Sequence, residues 1–395
     1  MNGIQQLFLS LISSALFGNR CNIDVDRVDL TALEKISSVN KCLSLVYQGC
    51  VNSGIEAPIQ WKNHASFAVM DSHRKMTIEN ELINILTNNG IRCCILKGSS
   101  VAMNYPNPLA RSMGDIDILV DECNYEKAAL LFVNESDFIA NKHDFHLSFN
   151  YKNVVVELHR QVTRYNDADK YHSLLSDCMD NIQLRKCDEF DVPVLSNKHQ
   201  AISLLSHMIR HFFENKFVFR MYCDWLCFVN NVSLDSWKRE VYPYIEGAGL
   251  SLFANALNKS AMMFLGVDMQ SKIVNDSDDE TCNILIEEFV SADKSATADG
   301  MDVNLGTVFS HQGLGRKNIL FTYISSVNYI VKYKYALGKY WIFRPIFWFW
   351  LPTKYIYNVI IGRRKRLNFQ KIRDVTKRRE ILINSLELTV DKKNN

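Results

Sequence analysis

Gly114-Asp115-Ile116-Asp117-Ile118-Leu119-Val120 decides how the middle of this chain is read. Two carboxylates, two residues apart, interrupt an apolar, β-branched run of strand length. A strand turns successive side chains to opposite faces, so Asp115 and Asp117 share one face and Ile116, Ile118 and Val120 the other. Like charges held about 7 Å apart on one face are costly unless something positive lies between them. A hard divalent cation is the simplest remedy, so the stretch predicts half of a metal site.

Outward from this strand the period is that of a small α/β unit. Upstream, Ile91 to Leu96 is a short apolar run, followed by Lys97-Gly98-Ser99. Gly98 permits a close backbone approach, and Ser99 is placed to cap a short helix through Tyr105 whose free N–H groups suit a phosphate. Pro106 and Pro108 then break the chain. Downstream, a helix is expected from about Asn124 to Val133. The strands Phe145–Asn150 and Val154–Arg160 flank Tyr151-Lys152-Asn153 as an antiparallel hairpin. A turn on Lys152-Asn153 pairs Tyr151 with Val154, Ser148 with Glu157 and His146 with His159. His146, Ser148, Glu157 and His159 then share a polar face, opposite Phe145, Leu147, Val154, Val156 and Leu158. Laid beside the Asp-x-Asp strand, this hairpin collects three carboxylates, Asp115, Asp117 and Glu157. Three such groups suffice for two divalent ions around a phosphoryl group, or for one ion and a base for an attacking hydroxyl. Lys97 and Arg111 add positive charge near the turn.

Taken together, Ile95-Leu96-Lys97-Gly98, Tyr105-Pro106, Arg111, Gly114 to Val120 and Val156-Glu157-Leu158-His159 resemble one branch of the nucleotidyltransferase fold of the DNA polymerase β superfamily. That branch is the bacterial nucleotidyltransferase family often labelled NTP-transferase-5, and the likeness spans roughly residues 1–260. The helical approach and the later His207…His211…Asp224 segment are similar too. The resemblance implies metal-dependent nucleotidyl transfer from a nucleoside triphosphate such as ATP, with Mg2+ or Mn2+ on Asp115 and Asp117. Glu157 matches the third acid, and Lys97, Gly98, Ser99 and Arg111 stand on the nucleotide side. The interval between Gly98-Ser99 and Asp115 is longer than is common in the superfamily, which leaves the roles of Lys97 and Arg111 open.

The fold class expected is α+β: a small mixed-sheet core over 90–165, between a helical N-terminal region, 1–89, and a helical C-terminal region, 166–390. In the first region Leu30, Leu33, Ile36, Val39, Leu43 and Val46 recur at helical spacing, and a further helix spans Trp61 to Asn88 before Asn89-Gly90. The third region is read as helices at Ser196–Phe213, Phe219–Val229, Leu234–Tyr244 and Leu250–Phe264, a loop at Asn275–Glu280, a polar loop at 293–318, an aromatic segment at 319–361 and a frayed end from Asp391.

Composition limits the partners. With 47% hydrophobic and 22% charged residues the chain is of the folded globular kind, and a formal charge of +2 gives no general pull toward nucleic acid. Eleven cysteines without a CxxC pair are read as buried thiols in a reducing cytoplasm. The apolar run Ile4–Ile12 has no basic residues before it and is read as an amphipathic helix instead of a signal peptide. The acceptor expected is a small molecule or a carrier-linked hydroxyl. Rival readings are a solvated strand edge or calcium site, a metal-dependent glycosyltransferase using Asp-x-Asp, and an inactive nucleotide-binding or membrane-associated protein of the same fold. Tyr340 to Trp350, with Lys354 and Arg363-Arg364-Lys365-Arg366, is either a helix packed on a core or a peripheral membrane contact over 340–366. Glu157 as a structural acid would pair with Arg160 or Arg111. Asp224 is expected to pair with Arg220 or a histidine of the preceding helix. His207 and His211 share a helix face, without the acid of an HExxH motif between them.

Overall fold

The computed structural model describes residues 1–21, 29–134, 141–142, 146–163, 169–275, 277–291, 324, 327–328, 331, 335–362 and 368–388. The chain divides into two compact units, one of Met1–Arg210, Val218–Ala292 and Leu386–Asn395, the other of His211–Phe217 and Asp293–Ser385. Phe145, the 293–318 loop, the basic run at 363–366 and the end from Asp391 lie outside the described residues.

The first unit is α+β. Its N-terminal region holds α1 (Gly3–Phe17), α2 (Leu30–Val39), α3 (Leu43–Ser53) and α4 (Ile59–Asn88). The apolar spacing from Leu30 to Val46 predicts continuous helix, but the chain breaks between α2 and α3, where Lys41 takes a positive φ of 58°. Asn2 and Gln5 close a reciprocal cap on α1, satisfying two N–H groups that a helix start leaves free.

A seven-stranded mixed sheet follows, in the order β3-β4-β5-β2-β1-β7-β6. The strands are β1 (Cys93–Ile95), β2 (Ile116–Val120), β3 (Asn141–Lys142), β4 (His146–Tyr151), β5 (Val154–His159), β6 (Gln183–Cys187) and β7 (Phe190–Val194). β2 runs parallel to β5, and β1 parallel to β7; the other pairs are antiparallel. The hairpin register is the one the sequence predicts, with Tyr151 opposite Val154, Ser148 opposite Glu157 and His146 opposite His159. Lys152 and Asn153 carry positive φ, as a tight two-residue hairpin turn requires. The β6–β7 hairpin was not anticipated. Its central sequence, Leu184 to Val192, alternates charge with apolar residues too weakly to stand out, and Asp188 at its turn needs a positive φ.

One face of the sheet buries Ile116, Ile118, Val120, Leu147, Phe149, Val156 and Leu158 against Met76, Leu82 and Leu86 of α4 and Phe132 of α6 (Tyr125–Asn134). The opposite face is split. Cys94, Leu96, Leu119 and Leu195 form a smaller apolar cluster there. Beside it stand Asp117, Glu157, His146 and His159.

After the sheet come α8 (Asn197–Phe213), α9 (Phe219–Asn231), α12 (Ser251–Leu265) and α13 (Asp279–Val290), with α5 (Ser99–Ala102) and α7 (Asp169–Leu175) earlier in the chain. The segment expected as one helix at Leu234–Tyr244 holds α10 (Leu234–Ser236), a π-helical turn at Trp237–Val241 and α11 (Tyr242–Gly247). α9 is buried on every side: the Tyr222 hydroxyl donates to the Leu257 carbonyl and the Trp225 indole N–H to Asn258. In the second unit, α14 (Arg344–Ile360) and α15 (Phe369–Ser385) are the long helices. Arg379 of α15 donates to the Phe212 carbonyl and Asn215 and stacks on the Phe212 ring.

Candidate active site

Register places the carboxylates. β2 and β5 pair with Asp117 directly beside Glu157, both on the face away from the large core. Asp115 precedes β2 on the same face and reaches solvent. One oxygen from each of Asp115, Asp117 and Glu157 lies within 4.8 Å of the others. The same separation unites His146, Glu157 and His159.

The charges are unevenly compensated. Asp117 is fully buried, which opposes its charge, but the Lys97 ammonium and a hydrogen bond from His159 hold it well below the usual carboxylate range. Both partners use one oxygen: Lys97 Nζ is 2.9 Å and His159 Nε2 3.0 Å from Asp117 Oδ1. Asp117 Oδ2 is buried with no hydrogen-bond partner. Asp115 shifts the other way, raised first by the Asp117 charge and then by desolvation. Desolvation opposes the Glu157 charge most strongly, but the His159 hydrogen bond and the charges of His146 and His159 together lower its pKa. Burial works against the His159 cation, yet its contacts with Asp117 and Glu157 raise its pKa overall. His146 Nε2 stands 3.6 Å from Glu157 Oε1. Neither Arg160 nor Arg111 pairs with Glu157: Arg160 faces Glu126 and Arg111 faces Asp224.

The turn before this cluster carries Lys97 to Asp117. The Leu96 N–H donates to the Asp117 carbonyl at 3.0 Å, which ends the β1–β2 pairing and delivers Lys97 beside Asp117. Gly98 follows with φ 65°, and a Cβ there would stand 2.7 Å from Glu79 Oε2 and 2.9 Å from Met113 Cε. The conformation favours glycine, and a Cβ would displace the ends of the Glu79 and Met113 side chains. Ser99 is not the helix cap. Gly98 holds that position, and Ser99 begins α5 with its hydroxyl donating to Glu79 Oε1 and its backbone also hydrogen-bonded to that carboxyl. Glu79 belongs to α4 and is fully buried; desolvation pushes it up to about 8, and its Oε2 has no partner.

A family model described as "Uncharacterised nucleotidyltransferase" matches residues 26–254. The chain belongs to that nucleotidyltransferase family. Comparison with curated proteins finds no match. Membership sets the general chemistry, transfer of a nucleotidyl group, and implies a nucleotide substrate. The matched span contains the whole sheet from β1 to β7, and with it every residue singled out for the site.

Within this nucleotidyltransferase the structure brings Asp115, Asp117, Glu157 and Lys97 together and sets Ser99 and Arg111 behind them. Arg111 is buried and grips Asp224 of α9 with two hydrogen bonds, Nε to Oδ1 at 2.6 Å and Nη2 to Oδ2 at 2.8 Å. Tyr105 donates to the same carboxylate at 2.6 Å. Desolvation disfavours the Arg111 cation, but Asp224 more than restores it. Asp224 thus pairs with Arg111 and Tyr105; Arg220 donates to the Ser112 carbonyl. His207 of α8 contacts Arg210. Among the described residues neither His207 nor His211 joins a metal-capable group.

Glu79 was missed by the sequence reading. Its signal was present: with Met76, Ile83 and Leu86 it occupies one apolar stripe of α4, where a carboxylate needs a buried partner. Nine of the eleven cysteines are buried; Cys21 is half-buried and Cys123 exposed.

Proposed function

We propose that this protein transfers a nucleoside monophosphate from a nucleoside triphosphate to a hydroxyl of a small or carrier-linked acceptor, on a core of the DNA polymerase β type. The observation that carries this reading is the buried, unpartnered Asp117 Oδ2 beside two further carboxylates. A buried charged oxygen without a donor is costly unless a ligand completes it. An all-oxygen donor set suits Mg2+ or Mn2+, so Asp115 and Asp117 fit the cation that nucleotidyl transfer uses, with Glu157 beside them as the base. When bound, such an ion stabilises charge on the reacting phosphoryl group.

The chain's own residues supply the rest. Lys97, partly exposed beside Asp117, is the cation of this cluster that would turn to the triphosphate, leaving Asp117 Oδ1 to a bound ion. Glu157, held low by His159, accepts the proton of the attacking hydroxyl. The acceptor oxygen bonds to the α-phosphorus as the bond to pyrophosphate breaks, and pyrophosphate leaves with the electron pair. Gly98, Ser99 and Arg111 frame the turn that carries Lys97, anchored from behind by Glu79 and Asp224. The family match favours this reaction over the glycosyl transfer that an Asp-x-Asp strand also permits.

The test is pyrophosphate release from each nucleoside triphosphate with and without Mg2+ or Mn2+, in parent and Asp117→Asn. The expected loss in the variant is at least about 100-fold, in line with removing a charge that acts on the transition state. Metal-independent nucleotide binding that Asp117→Asn leaves unchanged would overturn the proposal.

A further inference from the structure

The second unit carries an apolar surface that the transferase chemistry does not use. α14 presents two apolar faces. Phe347, Trp348 and Leu351 turn to a small cluster with Val327, Val331 and Tyr335. The other face is bare: Ile346, Phe349, Trp350, Ile356, Tyr357 and Ile360 are all exposed, Phe349 at 76% and Ile360 at 77%. At about 100° per residue these six positions fall in one stripe roughly a third of the way around the helix. The turn just before it continues the surface with Trp341, 77% exposed. Contiguous apolar exposure of this kind marks an interaction site.

Charge identifies the occupant. Between Asp302 and Asp374 the sequence has no acidic residue and thirteen lysines and arginines, although the chain as a whole is nearly neutral. Lys354 stacks over Trp350 at 4.3 Å, so cation and aromatic ring lie together at the edge of the stripe. A second copy would bring two such cation-rich segments together, which opposes dimerisation. An anionic lipid surface meets both demands at once, with negative headgroups for the cations and an apolar layer beneath for the rings. Tryptophan and tyrosine favour that boundary. Among the described residues no helix is long and apolar enough to cross a membrane, so the contact is peripheral.

We propose that the exposed stripe of α14, with Trp341, docks the protein on an anionic phospholipid surface, lying in the interfacial plane. The reading stands apart from the nucleotidyl-transfer proposal, because lipid binding needs none of the carboxylates. The test is flotation of the full chain with phosphatidylcholine vesicles, with and without phosphatidylglycerol. The parent should float with the mixed vesicles and at least about tenfold less with phosphatidylcholine alone, and high salt should release it. Trp341→Ser with Phe349→Ser removes two exposed rings and should weaken flotation about tenfold or more, with far-UV circular dichroism and thermal unfolding unchanged. A variant that floats as well as the parent overturns the proposal. So does a parent that fails to float, whether it is monomeric or elutes as a dimer that the double variant dissolves; the latter assigns the stripe to a second copy.

Discussion

Glu79→Gln probes the buried frame behind the Gly98 turn. In the folded chain desolvation raises Glu79 from the ordinary 4.5 to about 8. Between those two values the native state keeps a proton that the unfolded chain has released. Stability therefore falls as pH rises through this window, by about 1.4 kcal/mol per pH unit. The contribution is intact below 4.5, and the loss is complete above about 8. From about pH 5 to about pH 8 this one carboxyl removes about 3–4 kcal/mol. Glutamine has the same shape, cannot ionise, and keeps an oxygen for the Ser99 hydroxyl. Parent and variant should therefore have similar stability near the acid end of the window. At the alkaline end Glu79→Gln should be the more stable by about 3–4 kcal/mol. Urea denaturation of both proteins at the two pH values and fixed ionic strength measures the difference. An equal gap at both ends refutes the reasoning; the carboxylate would then be ionised in the fold, with Arg111 as its countercharge.

Other substitutions separate the turn, the buried pair and the site. Gly98→Ala forces a Cβ to 2.7 Å from Glu79 Oε2 in a residue with φ 65°, and thermal unfolding should show a loss of about 2–4 kcal/mol. Arg111→Met leaves the Asp224 carboxylate buried without its cation and should cost about 3–5 kcal/mol, whereas Arg111→Met with Asp224→Leu should recover much of it; a double variant no better than the single would show that the pair itself stabilises the fold. Lys97→Ala takes an ammonium from 2.9 Å of Asp117. Without nucleotide, Mn2+ should bind about 3–10-fold more tightly, because a competing cation is gone, while nucleoside triphosphate binding weakens. Calorimetric titration reads both, and weaker metal binding in Lys97→Ala would argue against the carboxylates as ligands.

Much of the sheet was legible because its signals are local. Ile116, Ile118 and Val120 alternate with Asp117 and Leu119, and Lys152-Asn153 marks a turn whose register fixes Glu157 beside Asp117 once β2 and β5 pair. The β6–β7 hairpin was invisible for the converse reason. Leu184 is exposed, Pro193 lies within β7, and Cys187, Val192 and Val194, with Phe190 at the margin, reach the core, so pattern alone could not distinguish it from loop. The break between α2 and α3 depends on a single residue, Lys41, adopting a conformation that its side chain does not advertise.

The site was legible in its carboxylates and not in its basic and hydroxyl groups, and the difference is physical. An acid inside an apolar strand announces a cost that some partner must meet, wherever that partner lies in the chain. Lys97, Ser99 and Arg111 announce nothing comparable, since each can satisfy its donors on whichever carboxylate the fold brings near. That choice is made by long-range packing. α4 carries Glu79 to Ser99, and α9 carries Asp224 to Arg111. Both carboxyl groups accept from donors that the sequence reading assigns to phosphate. Ser99 and Arg111 thus hold the Gly98 turn through Glu79 and Asp224, while Lys97 pairs with Asp117. On the proposed function, the Lys97 ammonium neutralises the carboxylate that a cation would need, so metal loading would require Lys97 to move off Asp117 toward the triphosphate. Nucleotide and metal should accordingly bind with positive coupling in the parent, and that coupling should shrink in Lys97→Ala.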